Sequence, residues 1–218
     1  ANSLQIAFGA FGFGLAIGLF GAYGKLYGGV VTRDLLAIYT TVIRAVPELV
    51  LILILYYIGT DLINQASRAM GYGRVEISGV VAGIWVLGIV QGAYATEVLR
   101  GAIQAVPSGQ IEAARAFGMP SFMLMRRITI PAMMSFATPG LANLWLIATK
   151  DTALLAIVGF SELTLETRQA AASTRAYFTF FLAAGALYLI VTLLSGVIFA
   201  WIEKWARRGQ PSLRGSSK

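Results

Sequence analysis

Long apolar runs separated by short charged segments organise this chain. Four of them, residues 4–23, 77–96, 128–149 and 176–202, reach the ~20 residues a helix needs to cross a hydrocarbon core. The second and fourth hold no charged residue. A fifth run, residues 35–59, is long enough but is interrupted by Arg44, Pro47 and Glu48. It reads as a polar or kinked half followed by the strongly apolar stretch 49–58, because proline breaks a helix and a membrane core tolerates free backbone groups poorly. The pattern predicts an all-α membrane protein of about five transmembrane helices, with the termini on opposite sides. The chain opens without Met and almost inside its first span, so a short preceding piece is expected and no cleavable signal peptide is recognisable.

Composition agrees. Of 218 residues, 57% are hydrophobic and only 12% charged, with a mean hydropathy of +0.73. A single soluble core of this size could not bury that much apolar surface, so much of it must face lipid. The chain has no Cys and no His, which excludes disulfides, thiol nucleophiles, His-based triads and the usual zinc sites. It also lacks a phosphate-binding loop: Gly24-Lys25 has neither the upstream Gly nor the following hydroxyl. The chain therefore cannot hydrolyse ATP alone, and no catalytic residue or metal ligand is assigned. No repeat or linker is evident, so residues 1–206 read as one transmembrane domain and 207–218 as a basic cytoplasmic tail. The net charge of +7 is what a flank beside anionic lipid looks like and requires no nucleic-acid partner.

Between the third and fourth runs lies a polar loop, about 101–127, with its own short helical pattern. Pro107-Ser108-Gly109 ends the preceding helix, and Ser108 or Gly109 can cap a new one. Glu112 is then expected in the first turn, where a carboxylate complements the helix dipole. Residues 111–117 are mostly small and apolar, giving a ~14 Å helix that can lie flush in a groove, and Gly118 suits a left-handed stop. On Glu-Ala-Ala alone, an ordinary surface helix is the simpler reading. However, Glu112-Ala113-Ala114-Arg115-Ala116-Phe117-Gly118 is followed after nine residues by Ile128-Thr129-Ile130-Pro131. This stretch resembles the EAA loop of ATP-binding-cassette importer permeases, through which the membrane subunit grips its ATPase.

The resemblance extends along the chain. The stretch 39–50, with Arg44, Pro47 and Glu48, is similar to the Arg-Gly-Thr-Pro region of polar amino acid permeases, and 92–101 is similar to the end of that family's third span. Lys150-Asp151-Thr152-Ala153-Leu154 is similar to its Lys-Asp-Thr-Ser-Leu segment. The likeness is greatest to the Q-type permeases of histidine, lysine-arginine-ornithine and opine importers. Departures are Ala45-Val46 for Gly-Thr, Ala153 for Ser, and Asn143-Leu144-Trp145 without the Glu that often follows that Asn.

This resemblance implies a type I ABC importer permease fold with a short cytoplasmic coupling helix, in which Glu112, Ala113, Ala114, Arg115 and Gly118 form the ATPase contact. It implies a second permease subunit (copy or paralogue), two ATP-binding subunits that carry ATP and Mg, and an external solute-binding protein meeting the loops 61–76 and 150–175. The implied function is import of polar, basic amino acids or opines by alternating access. An ATPase-independent secondary transporter or channel is the alternative, and an intramembrane enzyme is the weakest reading because no carboxylates converge at a recognisable spacing. Candidate substrate-path residues are Glu48, Glu97, Asn143, Lys150 and Asp151, the last two also suiting an outer gate. Arg44 and Glu48, one turn apart, can neutralise one another, and Glu97 can pair with Arg100 or meet a cationic substrate.

If the EAA loop is cytoplasmic, eleven of the seventeen Lys and Arg lie on the inner side and five on the outer. That satisfies the positive-inside rule for a bacterial inner-membrane protein with the N-terminus outside and the C-terminus cytoplasmic. Trp201 and Trp205 fit interface anchors. Gly14 and Gly18 form a small-xxx-small pair, but residues 9–24 contain so many glycines that chance is the default reading.

Overall fold

A computed structural model describes residues 2–208, so most of the basic tail (207–218) lies outside the described residues. Among the described residues the chain forms helices and no strand: α1 (Asn2–Tyr27), α2 (Val30–Ala45), α3 (Glu48–Ala69), α4 (Gly79–Gln104), α5 (Ser108–Ala116), α6 (Ser121–Leu124), α7 (Ile130–Asp151), α8 (Leu163–Thr174) and α9 (Tyr177–Ala206). A π-helical stretch, Met125–Thr129, joins α6 to α7, and a 3₁₀ stretch, Thr152–Val158, continues α7. Five segments are long and apolar enough to span a membrane: Asn2–Tyr27, Glu48–Ala69, Gly79–Gln104, Ser121–Val158 and Tyr177–Ala206.

The second expected span is corrected. Residues 35–59 do not form one interrupted helix; the chain breaks at Val46-Pro47, both extended, and only α3 is a spanning helix. Pro47 has no N–H to give and keeps Val46 out of the helical region. Arg44 thus belongs to the end of α2 and not to the spanning helix α3.

The contact between α1 and α4 sets the centre of the bundle. These helices run parallel, and their backbones nearly touch along Gly14, Gly18 and Gly21 of α1. A Cβ on Gly14 would stand 2.9 Å from Gln91 Cβ and 3.1 Å from the Gly88 carbonyl oxygen; one on Gly18 would stand 2.5 Å from Ala95 Cβ. The Gly14/Gly18 pair is therefore a helix contact, and chance is the wrong reading of it. α7 lies antiparallel on α4, with Ala102, Met133, Ala137, Leu141 and Leu144 in one buried cluster. α9 rests on α7 through Trp145, whose Nε1 donates to Ser195 Oγ at 2.8 Å. α3 joins α4 through Leu51, Ile52 and their neighbours and is otherwise largely bare, as is α9. Trp201 and Trp205 are exposed near the end of α9, where interface anchors belong.

Replacing Gly18 by Val should force α1 off α4, with a cost at the upper end of the ~1–3 kcal/mol typical of overpacking. Gly12→Val, whose Cβ would meet nothing within 4 Å, is the matched control. Thermal unfolding of the two variants in detergent should separate them clearly; equal midpoints would remove the glycine contact from the foundation of the fold.

Candidate functional site

Two of the polar regions inside the bundle hold the candidate residues, and they differ in whether their charges are matched. The first joins α1, α2 and α4 near the end that leads into α5. Lys25 Nζ lies 2.6 Å from Glu97 Oε1 and donates to Thr40 Oγ1 at 2.9 Å. Glu97 Oε2 accepts from Arg100 Nε at 3.0 Å and Nη2 at 2.9 Å, and Arg100 Nη1 donates to Gln104 Oε1 at 2.8 Å. Both oxygens of Glu97 are thus taken by cations. It does pair with Arg100, as its spacing suggested, but the shorter bond comes from Lys25, 72 positions away.

The second region lies halfway along α4. Gln91 Nε2 donates to Asp151 Oδ2 at 3.3 Å, and Gln91 Oε1 is buried without a hydrogen-bond partner. Asp151 closes α7 and is buried, whereas Lys150 beside it points out. Glu48, the first residue of α3, reaches the same place and is in electrostatic contact with Asp151 and with Tyr94. Arg44 does not pair with Glu48, because the break at Pro47 removes the one-turn geometry; its guanidinium sits over the Tyr94 ring, 5.9 Å from the centroid. The result is a cluster of acceptors, Glu48, Asp151 and the Gln91 oxygen, with no cation hydrogen-bonded to it among the described residues; the exposed Lys150 acts on Asp151 only through its charge. Asp151 therefore lies inside the bundle at the level of mid-α4. Asn143 is exposed on α7 and takes no part in the cluster. Gln91 was missed by sequence reading; it is the one amide side chain in the uncharged run 77–96, which is the signal that could have found it.

At the end near Lys25, α5 packs through Ile111 and Ala114, leaving Glu112, Ala113, Arg115 and Phe117 exposed, Phe117 at 90%. The helix begins at Ser108 directly after Pro107 with no side-chain cap, so Glu112 lies beyond the first turn and not in it. Its far end closes as expected. Gly118 adopts φ +72°, its N–H donates to the Arg115 carbonyl at 2.9 Å, and that of Met119 reaches the Ala114 carbonyl at 3.1 Å. These paired bonds are a Schellman stop that only a residue without Cβ enters freely.

Residues 14–208 match the family described as the binding-protein-dependent transport system inner membrane component. This chain belongs to that family. It is 40% identical over 202 residues to the histidine/lysine/arginine/ornithine transport system permease protein of Escherichia coli K12, covering 93% of this chain and 89% of that one. It is 37% identical over 210 residues to the octopine transport system permease protein of Rhizobium radiobacter, covering 96% and 89%. Among solved structures, an amino acid ABC transporter with histidines matches with a TM-score of 0.76 and 30% identity over 93% of this chain and 90% of that one. A methionine ABC transporter of 19% identity and TM-score 0.75 shares the fold. The chain is thus an inner-membrane permease subunit of an amino-acid ABC importer.

Because Glu97 is held between two cations, Glu97→Gln should leave Lys25 and Arg100 unmatched and cost ~3 kcal/mol of stability, as for other broken, partly buried ion pairs. Uptake of basic and neutral amino acids should fall to the same extent. A selective loss for basic substrates, with unfolding unchanged, would put Glu97 back on the path.

Proposed function

We propose that this permease imports amino acids bearing a cationic side chain, and that the cluster Glu48, Asp151 and Gln91 receives that cation within the membrane. The unmatched acceptors at mid-α4 carry the reading. A carboxylate with no cation hydrogen-bonded to it in a low-dielectric bundle is costly, and a bound guanidinium, imidazolium or ammonium would offset that cost. The substrates for which the relatives are named, histidine, lysine, arginine, ornithine and octopine, share this chemistry. Asn143, exposed on α7, is an amide that lipid would not solvate, so its place is against a second permease chain or on the path between the two. Lys150, exposed beside the buried Asp151, is placed by the same reading on that path.

The energy is supplied by two ATP-binding chains, which hold ATP and Mg; no nucleotide cofactor is assigned to this chain. α5 presents Glu112, Ala113 and Arg115 to an ATPase groove, with Phe117 as an apolar knob and Ala114 and Gly118 fixing the helix on the permease. An external solute-binding protein meets the opposite end over the exposed turn 70–73 that follows α3 and over α8, parts of 61–76 and 150–175 that face out of the bundle. The N-terminus is then outside and the C-terminus cytoplasmic.

Asp151→Asn keeps the bond to Gln91 and removes the charge, so uptake of arginine or lysine by proteoliposomes should fall about tenfold or more, the effect of losing one buried charged contact. Uptake of a neutral amino acid should change far less. Equal losses for both would make Asp151 structural.

The chain has no native Cys, so its sidedness can be read directly. A single Cys at exposed Ser108 in α5 should be protected from an impermeant thiol reagent in intact cells, while one at exposed Ser173 in α8 should react. Ser67 is unsuited to the test because its hydroxyl is buried on the Gly73 carbonyl. Labelling at Ser108 from outside would reverse the orientation.

A further inference from the structure

At the end of the bundle opposite α5, a polar cleft of about 720 Å³ opens between the second half of α3 and the segment 74–77 that leads into α4. Asp61, Arg68, Arg74 and Glu76 stand on its wall, two guanidinium groups and two carboxylates. None forms an ion pair among the described residues; Asp61 accepts a hydrogen bond from Gln65 Nε2 at 2.7 Å. An apolar groove of about 350 Å³ shares Tyr56, Thr60 and Ile77 with this cleft and runs on between α3 and α4, past Ile63 and Trp85 to Leu55. From Ile63 to Leu55 the groove follows α3 for ~12 Å at 1.5 Å per residue. That fits within one leaflet of a ~30 Å hydrocarbon core.

We propose that this composite site holds a phospholipid whose headgroup carries both a phosphate and a primary ammonium. The phosphate lies against Arg68 and Arg74, the ammonium against Asp61 and Glu76, and one acyl chain fills the groove between α3 and α4. Charge complementarity selects this occupant. Arginine presents a planar fork of donors that matches phosphate oxygens, and carboxylates accept hydrogen bonds from a primary ammonium but not from a quaternary one. A soluble amino acid would use the charges and leave the groove bare. An apolar helix of a second permease would cover the groove and leave four charges unmatched at its rim. Only an amphipathic molecule with a zwitterionic head uses both halves of the site. The bound lipid packs α3 onto α4 where the two helices part.

The test uses the importer purified with its co-isolating subunits and reconstituted in nanodiscs with phosphatidylethanolamine, phosphatidylglycerol or phosphatidylcholine, with retained lipid counted by native mass spectrometry. Wild type should retain one phosphatidylethanolamine per permease in preference to the other two. Arg68→Gln with Arg74→Gln should lower retention about tenfold, the effect of ~1.4 kcal/mol. Asp61→Asn with Glu76→Gln should abolish the preference over phosphatidylglycerol while keeping phospholipid bound. Gly59 lines the groove and a Cβ there would meet nothing within 4 Å, so Gly59→Leu should fill the groove without disturbing the backbone and displace the acyl chain. Equal retention in all variants would mean ordinary annular lipid. Displacement by soluble glycerophosphoethanolamine as readily as by the intact lipid would mean a headgroup site with no acyl chain. Cross-linking between a Cys at Gly59 and the second permease would mean a subunit interface. Each of these overturns the proposal.

Discussion

Because Gly14 and Gly18 carry no side chain, α1 lies directly on the backbone of α4, and the positions of the other helices follow from that approach. Lipid tails are as apolar as Leu, so no hydrophobic force draws two spanning helices together; close van der Waals packing and polar contacts must do it. The α1–α4 pair supplies this and offers a rigid face on which α7 packs through Met133, Ala137, Leu141 and Leu144. α7 then brings Asp151 to Gln91, and Trp145 of α7 holds α9 through Ser195. α3 receives much less support, touching mainly α4 near Leu51 and Ile52.

The same low dielectric that makes packing decisive also sorts the carboxylates by role. Glu97 has two cations at hydrogen-bond distance, so it ties α1 to α4, and Lys25 extends the tie to α2 through Thr40. Glu48 and Asp151 face each other and an amide oxygen that lacks a partner. A buried acceptor without a partner disfavours the unliganded structure by an amount that a cationic ligand can return, which is the ground for the proposed substrate site; the ion pair already closed at Glu97 offers no such return.

The spans and α5 were legible because each rests on many residues or on local backbone chemistry. Hydropathy averaged over ~20 positions tolerates local errors, and Gly118 declared a left-handed stop that the structure shows. Pairings between distant positions were not legible. Lys25 and Glu97 are 72 residues apart and Gln91 and Asp151 are 60 apart, and no periodicity links them. The reading of Arg44 with Glu48 failed because one-turn spacing assumes a continuous helix, and Pro47 ends α2 between them. The Gly14/Gly18 contact was hidden by abundance: a glycine-rich helix offers many small-residue pairs, and only the neighbouring helix shows which are used.

The connection from α5 to the acceptor cluster is short and stiff on one side and loose on the other. Only Ala105, Val106 and Pro107 separate α4 from α5, and Val106 and Ile111 are anchored in the cluster that packs α4 on α7. On its other flank α5 stops at Gly118, and from Ser121 α6 and the π-helical stretch run without a break into α7. A displacement of α5 thus reaches Gln91 and Asp151 through two continuous helices that are packed together. Glu48 sits at the start of α3, beyond the extended Val46-Pro47 break and outside this packed pair. Movement of α4 with α7 relative to α3 must therefore change the spacing of the three acceptors. A cation that bridges them binds one spacing better than another, and that differential affinity is the thermodynamic requirement for coupling α5 to a bound substrate.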